Sequence, residues 1–185
     1  MKFINFLLIL FICINTPIKA DSNQNLINEL QSGGKLIFIR HAYAPGGGDP
    51  DDFDIKDCST QRNLNDSGKI QSKKIGNFFK KNNILIENVY SSEWCRCKNT
   101  AKIAFENYEQ KKFLNSFFSL KFKKNKNQQM KDLKKFINEW EEKKNIIFVT
   151  HYVVISTILN YAPSSGEIVV ADKKFNIIDT ITIPY

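Results

Sequence analysis

Histidine and arginine are the scarce residues of this chain. Among 185 residues there are two histidines, His41 and His151, and three arginines, Arg40, Arg62 and Arg96. The 27 basic residues less those three leave 24 lysines. Eight glycines and five prolines, with 42% hydrophobic and 25% charged residues, exclude a fibrous or disordered chain and suit one globular domain. Beyond the N-terminal segment no apolar run is long enough to cross a bilayer. There are four cysteines, Cys13, Cys58, Cys95 and Cys97, and the Cys-x-Cys spacing of the last two is poor for a single tetrahedral metal site.

The N-terminal segment has its own pattern. Lys2 gives a short basic start, Phe3 to Ile14 is almost wholly apolar, and Thr16 to Ala20 ends on a small residue before Asp21. This is the pattern of a secretory signal peptide cleaved after Ala20, leaving residues 21–185 as the mature domain. Cys13 follows Ile12 rather than a small residue, which argues against a lipoprotein site. The expected location is periplasmic or secreted. Loss of Lys2 and Lys19 takes the formal charge from +8 to +6. The remaining lysines are scattered through helical stretches, so they read as a solvated coat and no nucleic-acid partner is expected. Attraction to acidic lipid or to phosphorylated substrates is the weaker alternative.

A composition that uses lysine for ordinary charge keeps arginine where a planar fork is needed. That fork grips phosphate or carboxylate with two parallel hydrogen bonds. The plain alternative is that three arginines are what chance left.

The strand pattern organises the rest. Leu36-Ile37-Phe38-Ile39 follows Gly33-Gly34, stops at Arg40-His41, and runs into a glycine-rich loop with five aspartates between Tyr43 and Asp57. Such a run reads as a strand buried on both faces of a parallel sheet. Ile146-Ile147-Phe148-Val149 repeats it and stops at Thr150-His151. Helices are expected at Asn23–Gln31, Ser67–Lys81, Trp94–Asn107, Met130–Lys143 and Val153–Leu159. Further strands are expected at Ile84–Tyr90, Glu167–Ala171 and Phe175–Ile183. The alternation gives an α/β fold, a three-layer α/β/α sandwich with a mostly parallel central sheet. The long loop does not match an EF-hand, because Phe53 stands where a ligand belongs. Both histidines then leave the carboxyl edge of the sheet, where open α/β folds bind ligands. Arg40 shares that edge, and Arg96 begins the helix after Ser91-Ser92. A cationic hollow with a titratable nucleophile suits a phosphoryl group.

These residues carry a resemblance. Arg40-His41-Ala42 resembles the Arg-His-Gly signature of the histidine phosphatase (phosphoglycerate mutase-like) superfamily, with alanine replacing glycine. Ser91-Ser92-Glu93-Trp94-Cys95-Arg96-Cys97-Lys98-Asn99-Thr100-Ala101 is similar to its second block, and Val149-Thr150-His151 to its third. Asn63-Leu64-Asn65-Asp66-Ser67-Gly68 resembles its Leu-Thr-x-x-Gly turn. Cys58-Ser59-Thr60-Gln61-Arg62-Asn63-Leu64 with Trp94-Cys95-Arg96 is similar to a small exported bacterial branch.

The resemblance implies that His41 attacks phosphorus and is transiently phosphorylated. It implies that Arg40, Arg96 and His151 hold the phosphoryl oxygens, with no metal or organic cofactor. The expected partner is a phosphorylated small molecule or phosphopeptide. The implied activity is that of a histidine acid phosphatase-type phosphoric monoester hydrolase. Arg62 and Glu93 are further candidates for substrate contact. The acid that many relatives place after the second helix is missing from Leu114 to Phe118, and Tyr152 fills the other usual place. Glu93, Asp49 and Glu167 are the substitutes available. In an exported chain Cys58 is expected to pair with Cys95 or Cys97. Unpaired thiols and a zinc site are the alternatives. A non-catalytic phosphoryl-ligand binding module of the same fold is the rival function.

Overall fold

The computed structural model describes residues 20–185, so the expected leader lies outside the described residues apart from Ala20. Among these residues six strands form one sheet: β1 (Leu36–Arg40), β2 (Ile86–Ser91), β3 (Glu109–Gln110), β4 (Asn145–Thr150), β5 (Ile168–Ala171) and β6 (Ile177–Ile181). Their order is β3-β2-β4-β1-β5-β6. The first four in chain order run parallel; at one edge β5 pairs antiparallel with β1, and β6 pairs antiparallel with β5. The helices are α1 (Ala20–Ser32), α2 (Asp66–Lys81), α3 (Cys95–Phe105), α4 (Leu120–Lys123), α5 (Lys126–Asn138) and α6 (Tyr152–Leu159). This is the expected α/β fold.

Two apolar layers follow from strand alternation. Ile37 and Ile39 of β1 face α1, α2 and α3 with Leu30, Ile75 and Ala101. Leu36 and Phe38 face α5 and α6 with Leu133, Ile137 and Val154. Phe38 stacks on its register partner Phe148 at 5.0 Å between centroids. Burial of each such side chain contributes about 1.5–3 kcal/mol, and Phe38→Ala is expected to cost about 3–5 kcal/mol.

Local chemistry sets the elements that reach the site. Asn65 caps α2, its side-chain oxygen accepting from the Gly68 N–H at 3.0 Å. A Cβ on Gly68 would lie 2.0 Å from the Tyr43 carbonyl oxygen, so only glycine lets this helix press against the loop leaving β1. The register Arg40↔Thr150 and the bond from the His41 N–H to the Thr150 carbonyl, at 2.9 Å, bring the two strand ends side by side.

Three expectations shift. The helix expected at Met130–Lys143 is α5, starting earlier and ending at Asn138. There Trp140 turns inward to donate its indole N–H to Glu87 at 3.1 Å, and Glu142 takes a left-handed turn. The two closing strands are antiparallel, a direction that apolar spacing does not encode. Strand β3 has two residues, too few to show a period.

Candidate active site

Parallel pairing of β1 and β4 delivers His41 and His151 to one sheet edge, with ring centroids 5.5 Å apart. Helix α3 supplies Arg96 between them. Thr100, one turn further along α3, accepts the Ala42 N–H at 3.0 Å and donates to the Arg96 carbonyl at 2.7 Å. That hydroxyl ties the loop of the nucleophile to the helix of the cation. Alanine in place of the motif glycine is accommodated, because Ala42 is buried against Ala44 and Leu64. The sequence-based expectation of a shared edge is met for His41, Arg40, Arg96 and His151. All four line a cavity of about 550 Å³, as does Arg62.

Hydrogen bonds assign the imidazole protons. His41 Nδ1 lies 2.8 Å from the Ala42 carbonyl oxygen, which only a protonated nitrogen can approach. Nε2 is then the bare nitrogen, and it accepts from Arg96 Nε at 3.2 Å. A neutral Nε2 lone pair aimed into the cavity is the form a nucleophile requires. Burial, then the Arg96 charge, holds the His41 imidazole well below its ordinary range. His151 is lowered by the same causes with His41 added. Its Nδ1 accepts from Arg96 Nη2 at 3.4 Å, and its Nε2 donates to Ser92 Oγ at 2.8 Å. Ser92 Oγ donates to Asn115 Oδ1 at 3.2 Å, and Asn115 Nδ2 donates to Glu93 Oε2 at 2.6 Å. A polar chain thus fixes the His151 ring from outside the cavity.

The guanidinium groups crowd one another. Arg40 is lowered from its ordinary value by burial and then by Arg96, and Arg62 by the same two causes. Both stay charged at neutral pH. Arg40 Nε and Arg62 Nε are buried with no hydrogen-bond partner. Orphaned donors on crowded cations are the electrostatic signature of a site built for an anion.

An internal anion already sits there. Asp49 takes Arg96 Nη1 at 2.7 Å and Nη2 at 3.1 Å, the fork geometry of carboxylate recognition. The Trp94 indole N–H donates to it at 3.0 Å and the Arg62 backbone N–H at 3.1 Å. Its side chain is 10% exposed and that of Arg96 4%. Gly46, Gly47 and Gly48 precede it, and Gly47 and Gly48 have open space where a Cβ would be.

Other candidates are placed elsewhere. Glu93, a candidate for substrate contact, does not line the cavity, and its carboxylate accepts from Asn115 Nδ2. Glu167 is buried outside the cavity, accepting from the Tyr161 hydroxyl and from the Ser164 N–H at 2.6 Å. Arg62 lines the cavity, with Nη1 donating to the Ala44 carbonyl. Cys58 bridges Cys95, which removes both thiolates from the zinc alternative and ties the long loop to the start of α3. Cys97 is the free buried thiol. Burial pushes its pKa up to about 12, so it stays protonated beside His151. Sequence reading did not assign Ser92, Trp94 or Asn115 to the site. Only the polarity of Ser91-Ser92 at a strand end hinted at one of them.

No protein-family model matches the chain, and no curated protein does either. Solved structures do. A structure of the protein histidine phosphatase SixA complexed with tungstate aligns at TM-score 0.57 and 16% identity, covering 80% of this chain and 96% of that one. The chain has the histidine phosphatase fold. A phosphoglycerate mutase of Thermus thermophilus aligns at TM-score 0.55 and 14% identity, over 80% of this chain and 98% of that one. Protein TTHB049 of the same organism aligns at TM-score 0.57 and 14% identity with the same coverage. In this histidine phosphatase fold three of the motif blocks quoted above fall at the strand ends and helix start that line the cavity, while the Asn63–Gly68 block leads into α2 outside it.

Proposed function

We propose that the protein is an exported phosphatase that hydrolyses phosphomonoesters or phosphoramidates through a phosphohistidine on His41. The observation that carries this reading is the neutral His41 Nε2, directed at Arg96 within a hollow of three guanidinium groups and a second imidazole. The incoming phosphoryl group displaces Asp49 from the Arg96 fork. His41 Nε2 attacks phosphorus, the N–P bond forms and the bond to the leaving oxygen or nitrogen breaks. Arg40, Arg96 and His151 neutralise the equatorial oxygens. Water then attacks phosphorus, the N–P bond breaks, and inorganic phosphate leaves.

The neighbours' names concern phosphoryl chemistry, and one of those structures holds a tetrahedral oxyanion. Asp49 is a carboxylate in the resting site and has no proton to give a leaving oxygen. Once displaced to the cavity wall, it is placed to take a proton from the attacking water. Glu93 and Glu167 are engaged elsewhere. Leaving groups that need little protonation, such as the imidazole of a phosphohistidine, suit this site best. Export is supported by the N-terminal leader pattern and by the Cys58–Cys95 bridge, which persists in oxidising compartments.

Occupation of the Arg96 fork by Asp49 favours one rival, a phosphoryl-ligand binding module without turnover. Hydrolysis of p-nitrophenyl phosphate separates the two, since nitrophenolate leaves without an acid. The phosphatase hydrolyses it, and His41→Ala lowers kcat by about a thousandfold or more while still binding phosphate. A wild-type protein that binds phosphate and never turns over supports the binding module.

A further inference from the structure

The cavity mouth carries a surface that phosphoryl transfer does not explain. From Lys111 to Lys131 the sequence has seven lysines and no acidic residue. Lys111 pairs with Glu109 at 3.0 Å. Among the described residues no ion pair engages the other six. Between these lysines Phe118 is 65% and Leu120 85% exposed, the latter the most exposed large apolar side chain among the described residues. Tyr152, 41% exposed, stands at the same mouth. Phe118, Leu120 and Tyr152 all line the cavity, as do Asp51 and the rings of Phe53 and Phe122, over which Lys121 sits at 5.8 and 5.5 Å. Ile70 also has Lys69, Lys73 and Lys74 near it on α2, but neither it nor Leu85 lines the cavity.

We propose that this face docks on an anionic lipid bilayer, with Phe118 and Leu120 entering the headgroup region and the lysines held against acidic headgroups. Charge complementarity selects the occupant. A lysine-rich segment free of acidic residues attracts a negative plane, and protruding apolar tips gain by leaving water at its boundary. Among the described residues no helix is long and apolar enough to cross a membrane, so contact is peripheral. The cavity then opens toward the bilayer. Where the proposed phosphatase activity holds, phosphoryl groups on membrane amphiphiles become its accessible substrate class.

The test is vesicle flotation of the purified protein, with phosphatidylcholine vesicles with and without phosphatidylglycerol. Binding is expected only with phosphatidylglycerol, and it should weaken as salt is raised. Each lysine at the surface is worth about fivefold in partitioning. Lys123→Glu with Lys124→Glu is therefore expected to lower it by at least about tenfold while p-nitrophenyl phosphate hydrolysis is unchanged. Phe118→Ser with Leu120→Ser should also lose vesicle binding with its thermal transition retained. Equal flotation on pure phosphatidylcholine, no flotation at all, or flotation indifferent to the lysine variant overturns the proposal. So does capture of an acidic polypeptide such as polyglutamate in the absence of vesicle binding. Hydrolysis without vesicle binding refutes the docking alone, and vesicle binding without hydrolysis refutes the phosphatase reading alone.

Discussion

Replacing Asp49 by alanine removes the one carboxylate that answers Arg96. Four donors lose the carboxylate: both Arg96 Nη groups, which keep only long contacts of 3.4 Å to Arg62 and His151, the Trp94 indole and the Arg62 backbone N–H. Breaking a buried ion pair by deleting one member costs about 3–5 kcal/mol, because the other charge stays desolvated. Water can enter through the glycine loop, so the lower end, about 3 kcal/mol, is expected. For a domain of this size each kcal/mol moves Tm by about 2–4 °C, giving a drop of about 6–12 °C in phosphate-free buffer. The same deletion frees the fork for a tetrahedral anion. Inorganic phosphate or tungstate should therefore bind Asp49→Ala at least about tenfold more tightly than wild type, a gain of about 1.4 kcal/mol. It should also restore much of the lost Tm by mass action. Thermal unfolding and titration calorimetry across a phosphate series read both effects. A variant as stable as wild type, or one whose affinity for phosphate falls, refutes the view of Asp49 as an internal competitor for the anion site.

Three further outcomes are expected. Reduction of Cys58–Cys95, which encloses a separation of 37 residues, should remove about 4 kcal/mol of loop-entropy stabilisation. Tm measured with and without dithiothreitol should then differ by about 8–15 °C. Both imidazoles are held below the ordinary value of 6.5, so the unfolded chain binds protons that the folded one refuses. Their contribution to stability is complete above that pH and is lost as pH falls from about 6.5 toward the lower folded-state values. Urea midpoints across that interval should decline, and less steeply in His151→Asn. Thr100→Val orphans the buried Ala42 N–H at a cost of about 1–3 kcal/mol. It also loosens His41 from Arg96, so kcat for p-nitrophenyl phosphate should fall by about tenfold with little change in phosphate affinity.

The strand ends were legible because hydrophobic burial writes itself into contiguous runs. Leu36–Ile39 and Ile146–Val149 are each buried on both faces, and each halts where the chain reaches the cavity. Scarcity did the rest: with two histidines and three arginines, placing the strands nearly placed the site. Asp49 as the partner of Arg96 was not legible. The two residues lie 47 positions apart, and Asp49 is one of five aspartates in a loop with no period. Asn115 was hidden for the same reason, since an amide gripping Glu93 and Ser92 leaves no pattern in the surrounding sequence. Pairing of Cys58 with Cys95 rather than Cys97 depends on which thiol of the first turn of α3 faces the loop. One residue of spacing does not decide that.

The central claim is that His41 Nε2 carries the phosphoryl group. Single-turnover reaction with p-nitrophenyl phosphate, quenched in alkali because phosphohistidine hydrolyses in acid, followed by peptide mass spectrometry, tests it directly. The account predicts one phosphoryl group on the peptide containing His41, absent from His41→Ala and absent from the peptide containing His151. Steady hydrolysis with no label on His41, or a label on another residue, contradicts it.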